Sequence, residues 1–153
     1  MDLAKIITDA TQEIFETMIM VEVTPGEPSR ENGQTHYCTV SGMIGLAGLF
    51  KGMIAIHAPD EVAKSITSNF LGMDVDEVNE DVTDAIGELA NMLAGNAKMA
   101  LSQNGKDITL SIPSTISGEE YTISCAIDTD RVVMPFTMEQ GKFVVELQVE
   151  KQE

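Results

Sequence analysis

The chain has 153 residues, a formal net charge of −16, a sequence pI near 4.2 and 43% hydrophobic residues. Nine Lys and Arg against 25 Asp and Glu leave too little positive charge to neutralise a run of phosphates, which argues against nucleic acid; an acidic surface also resists anionic membranes and attracts a lysine-rich protein patch. The length fits one domain, residues 1–153, with enough apolar residues for a single core.

Met1-Asp2-Leu3-Ala4-Lys5 lacks a basic segment followed by an apolar run, so no signal peptide is expected. Leu3 to about Met20 reads as a helix, with Leu3, Ile6, Ala10, Ile14 and Met18 at buried spacing and Asp9, Glu13 and Glu16 turned away. Val21–Thr24 reads as a short strand, and the turn-rich loop from Pro25 to Gly33 carries no chemistry. Two antiparallel strands are expected at Thr35–Ile44 and Phe50–Ala58. The same stretch is the only candidate membrane span, but Lys51 and glycines at 42, 45, 48 and 52 favour strands and a turn. Asp60 and Glu61 open a short helix that runs to Leu71 and stops at Gly72. The acidic run Asp74–Asp81 departs from an EF-hand loop, since Val78 replaces a ligand and Asn79 the required glycine; acids entering a helix explain it better.

Val78 to Gln103 reads as a long amphipathic helix whose buried face carries Val82, Ile86, Leu89, Leu93, Ala97 and Ala100. At about 100° per residue, Asp84, Glu88, Asn91 and Gly95 share a roughly 60° sector of the wet face. An amide there can orient a water without being charged, an anion one turn away can hold a lysine of another protein, and a glycine leaves room for close approach. Exposed acids and amides are ordinary on a solvated helix. Gly87 and Gly95, however, each cost up to about 1 kcal/mol against Ala in a helix interior, and something should offset that.

Past the helix, Asn104-Gly105 makes a turn, and strands are expected at Asp107–Ile112, Glu119–Asp128, Arg131–Met138 and Lys142–Val149, the last pair joined through Glu139-Gln140-Gly141. Thr122-Ile123-Ser124 echoes Thr39-Val40-Ser41, and Asp9, Glu13, Glu16 and Met20 repeat the spacing of the later stripe. The expected fold is therefore α+β, with two long helices packed on an antiparallel β-sheet and a pseudo-twofold internal repeat. In the first copy Glu replaces the amide and Met fills the gap, so no activity is expected there. Cys38 and Cys125 lack metal-ligand spacing and read as buried thiols of a reducing, cytoplasmic compartment. His36 and His57 read as structural, beside neither a nucleophile nor a metal cluster. No Walker or dinucleotide loop is present, and the ten methionines read as core filling.

The central helix resembles that of the CheC/CheX/FliY chemotaxis phosphatases, which carries an acidic residue or Ser, then Glu, then Asn three later and Gly four beyond. Asp84, Glu88, Asn91 and Gly95 match it position for position. Ser41-Gly42-Met43-Ile44-Gly45-Leu46-Ala47-Gly48 and the strand-like run after it resemble the family's glycine-rich hairpin, and length with a single complete motif resembles the CheX branch. The resemblance implies an enzyme that dephosphorylates the phospho-aspartate of a CheY-like response regulator. Asn91 would position the attacking water, Glu88 would grip the regulator's lysine, and Asp84 and Gly95 would frame and admit the partner. It further implies no cofactor of the chain's own, Mg2+ held by the partner, and a homodimer joined through sheet edges. Two other readings stay open: a non-enzymatic adaptor that binds the regulator, and an acidic hydrolase using Glu88 with Asp84.

Overall fold

The computed structural model describes residues 2–29, 36–37, 40–102, 107–118, 122–123 and 130–151. The first helix, α1, spans Leu3–Ile14, and Asp2 caps it by accepting the Lys5 N–H. It continues as one π-helical turn, Phe15–Ile19, ending at Met20 in the left-handed conformation with φ 61°. The π turn explains a departure from the expected helix. Bonds from i to i+5 bring Ile19, not Met18, back under Ile14; Ile19 is buried and Met18 is half exposed. Met20 consequently leaves the stripe of Asp9, Glu13 and Glu16 and stands 81% exposed, so it fills no gap.

The strands are β1 (Thr24–Pro25), β2 (His36–Tyr37), β3 (Val40–Gly48), β4 (Phe50–Ala58), β5 (Ile108–Leu110), β6 (Ser114–Ser117), β7 (Thr122–Ile123), β8 (Asp130–Met138) and β9 (Gly141–Lys151). The large antiparallel sheet has the order β1-β8-β9-β4-β3-β5, with β6 also on β3, while β2 and β7 pair separately. Three expectations changed here. Of the strand expected at Val21–Thr24 only Thr24 pairs, with Pro25 as β1. β5 stops at Leu110 rather than Ile112, and directly after Pro113 the chain re-pairs with β3 as β6, while β3 itself runs on past Ile44 to Gly48. Most of the strand expected at Glu119–Asp128, the turn at Asn104-Gly105 and both cysteines lie outside the described residues.

Among the described residues, two further helices accompany the sheet beside α1: α2 (Asp60–Leu71), closed by Gly72 in the left-handed conformation, and α3 (Glu80–Leu101), capped by the Asn79 side chain on the Val82 N–H. The short α2 joins them because its own apolar face, Val62, Ala63 and Ile66, is buried. Between the helices and the sheet lies the core. Phe15 stacks on Phe143 at 4.9 Å and Phe143 on Phe136 at 5.4 Å, pairs worth about 0.5–1.5 kcal/mol each beyond their burial. At the centre, a Cβ on Gly42 would stand 2.8 Å from the Ile86 carbonyl oxygen. Only a glycine there lets α3 lie this close on β3.

Strand alternation sends the next residues of β3, β4 and β9 to the opposite face. There a polar cluster is sealed: Ser41 Oγ and His57 Nδ1 are 2.6 Å apart, His57 Nε2 is 3.2 Å from Glu146 Oε1, and Arg131 Nε donates to Glu146 Oε2 at 2.7 Å. Gln148 Nε2 donates to the same oxygen. His57 thus does meet a serine, because Ser41 and His57 are directly opposed on β3 and β4, a cross-strand pairing that separation in sequence conceals. All members are at most 4% exposed, so the group is structural and out of reach of a substrate. Burial by itself pushes the Glu146 carboxyl up; the hydrogen bonds from His57, Arg131 and Gln148 outweigh it and hold the group at about 2.

A carboxylate held below its ordinary value contributes stability above about pH 4.5 and loses it as pH falls towards 2. Urea titrations should therefore show the unfolding free energy falling across that window by an amount on the order of 3 kcal/mol from this group. In Glu146→Gln the acid-linked part should shrink; equal acid sensitivity in both proteins would contradict the assignment.

Candidate functional site

The long helix α3 buries Val82, Ala85, Ile86, Leu89, Ala90, Leu93, Ala94 and Ala97. Of the expected buried positions only Ala100, in the last turn, is exposed. Against that buried face, the opposite stripe must look outward, and it does: Asp84 and Glu88 are exposed, Asn91 and Gly95 half-buried. The structure thus keeps all four predicted residues on one face, and among the described residues the Asn91 side chain makes no hydrogen bond. An amide so placed has both donors and its acceptor available to a water or a partner.

The two mid-helix glycines separate into different roles. A Cβ on Gly87 would meet Thr115 Cγ2 at 3.1 Å and Pro113 Cβ at 3.7 Å, so this glycine lets the β5–β6 segment lie against the helix one turn before Asn91. At Gly95 a Cβ would meet nothing within 4 Å. Its missing side chain serves no packing against the described residues and leaves open space on the wet face.

On the other side of this open space, Asn96 Nδ2 donates to Glu13 Oε2 of α1 at 3.3 Å. The middle acid of the first-helix echo is therefore tied to α3, while Asp9 of that echo pairs with Lys5 at 2.8 Å. Sequence reasoning did not find the Asn96–Glu13 bond, because nothing in either helix alone says how they are phased. Among the described residues no group of three His, Cys, Asp or Glu could hold a metal ion, and no described helix is long and apolar enough to cross a membrane.

A family model described as "Chemotaxis phosphatase CheX" matches residues 40–137. The "CheY-P phosphatase CheX" of Thermotoga maritima is 28% identical over 124 residues, 78% of this chain and 80% of that protein. Among solved structures, a chemotaxis protein CheX from Desulfovibrio desulfuricans superposes with a TM-score of 0.88 at 31% identity, covering 98% of this chain and 100% of the other. The CheX–CheY–BeF3–Mg2+ complex from Borrelia burgdorferi matches with a TM-score of 0.83 at 24% identity over 98% of this chain and 99% of that one, a likeness of fold.

The two glycines should respond oppositely to the same substitution. Gly95→Ala places a methyl in open space and gains helix propensity, so it should stabilise by about 0.5–1 kcal/mol in urea unfolding. Gly87→Ala must push Thr115 aside and should gain less or lose stability; equal gains at both sites would show that β6 does not press on the helix as described.

Proposed function

The chain belongs to the CheX family of chemotaxis phosphatases, and on that premise we propose that it hydrolyses the phospho-aspartate of a CheY-like response regulator, with Asn91 positioning the attacking water. The observation that carries this reading is the outward, half-buried Asn91 on the stripe that also holds Glu88 and the empty space above Gly95. Phosphoryl transfer passes through a loose transition state, so a helper gains most by placing a water in line with the bond that breaks. Water oxygen bonds to phosphorus, the aspartate carboxylate departs with its electron pair, and the water's proton passes to the phosphate and solvent. An acyl phosphate already has a good leaving group, which suits a site offering an amide rather than a base.

Glu88, an exposed anion one turn before Asn91, pairs with a lysine of the regulator and sets the docking register. Asp84 extends that anionic edge, and Gly95 admits the partner's surface. The chain needs no cofactor of its own in this scheme; Mg2+ sits with the partner's aspartyl phosphate, and the enzyme supplies orientation. The name of the Thermotoga relative supports the substrate class, and the CheY and Mg2+ of the Borrelia assembly accord with the partner. The setting is cytoplasmic two-component signalling. In this reading α1 is the silent counterpart of α3 in a duplicated chain, its Glu13 having become a structural contact. The homodimer forms through edges of the large sheet; sedimentation at micromolar concentration showing only monomer would exclude it.

Asn91→Ala should leave the thermal midpoint within a few degrees and regulator binding nearly intact while catalysed dephosphorylation falls by roughly 100-fold. Retention of full turnover refutes the water-positioning role. Glu88→Ala should weaken binding of phosphorylated regulator by about tenfold in a titration, a loss that raised ionic strength makes smaller. If the unmutated protein leaves the decay of phosphorylated regulator unchanged at catalytic amounts but still binds it, the adaptor reading replaces this one.

A further inference from the structure

The stripe on α3 does not end at Gly95. At about 100° per residue Lys98 falls about 20° outside its sector, beside Asn91, and Met99 about 20° outside its other edge, beside Glu88. Lys98 is half-buried and Met99 is 57% exposed. Three and four residues after the glycine, these two positions lie about one turn beyond it on the same side of the helix, as Asn91 lies one turn before it.

Lys98 is the one cation on α3, in a chain of charge −16. Among the described residues, Lys5 is paired with Asp9, Lys64 with Glu61, and Arg131 is buried against Glu146, while Lys51 and Lys142 are unpaired like Lys98 but stand exposed on β4 and β9. Lys98 makes no ion pair or hydrogen bond with a described residue. A cation in the last helical turn is favoured by the C-terminal pole of the helix, but that preference is indifferent to azimuth. It does not account for a cation at the edge of the docking stripe, beside the open space at Gly95. The stripe is therefore polar along its length, anionic at Asp84 and Glu88, neutral at Asn91, cationic at Lys98.

Resting on the phosphatase reading, we propose that the open space above Gly95 receives an acidic side chain of the regulator, its methylenes against Met99 and its carboxylate paired with Lys98. The partner then engages α3 at two points of opposite sign. Its lysine meets Glu88 and its acid meets Lys98, the latter about 10 Å along the helix axis from Asn91 at 1.5 Å per residue. Such a pairing fixes direction as well as register, because a reversed approach sets like charges against each other.

The test is steady-state turnover of a phosphorylated CheY-type regulator of the same organism by the full chain. At low salt Lys98→Glu should raise KM about tenfold with kcat changed less than about twofold, and Lys98→Met, which keeps the stem, should raise it about threefold. Lys142→Glu, an exposed position on β9, controls for net charge and should leave KM within about 1.5-fold. The penalty in Lys98→Glu should shrink severalfold at about 0.5 M salt. A KM no different from that of Lys142→Glu, a loss confined to kcat, or a penalty indifferent to salt overturns the pairing. Absence of turnover by the unmutated chain removes the phosphatase reading and this pairing with it, whereas turnover with a KM blind to Lys98 removes the pairing alone.

Discussion

The closeness of α3 to β3 governs what the molecule presents to a partner. With no side chain at Gly42, the Ile86 carbonyl oxygen comes within 2.8 Å of where a Cβ would be, and Val82, Ile86, Leu89 and Leu93 sink to zero exposure on the sheet. A helix seated this firmly cannot roll, so the residues half a turn away from that contact are committed to solvent. The contact acts twice. It stabilises the fold through buried apolar area, and it fixes which way Asn91 and Glu88 look.

A second constraint works from the opposite face of the same sheet. Glu146 is anchored by Arg131, Gln148 and His57, and His57 in turn meets Ser41, the residue before Gly42. Breaking one partner would strand a buried charge, which costs far more than the pair itself contributes. The cluster therefore pins β3, β4, β8 and β9 in register, and the strand that carries Gly42 is held from below while α3 presses on it from above. This couples two layers through the pleat of a single strand.

Charge has a different job on the surface. The exposed pairs Lys5–Asp9 and Lys64–Glu61 lie within their own helices and are worth little to stability. The stripe on α3 instead keeps its charges unsatisfied internally, which costs little in water and leaves them available to an approaching protein. Under the proposed function the open space at Gly95 follows the same logic: a helix gives up some propensity where a partner needs room.

Periodicity alone determined the long helix, its buried face and the common orientation of Asp84, Glu88, Asn91 and Gly95, because those depend only on 3.6 residues per turn. Turn residues likewise determined α2, its stop at Gly72, and the β8–β9 hairpin. The π turn after Ile14 was not legible, since no local signal marks it, and with it went the expected burial of Met18 and the place of Met20. Nor could sequence tell that Gly87 is spent on Thr115 and Gly95 on open space, or that Ser41, His57 and Glu146 converge. Those facts depend on which strands and helices become neighbours, and neighbourhood between residues 16 or 89 positions apart is decided by the closing of the sheet, not by the chain's local chemistry.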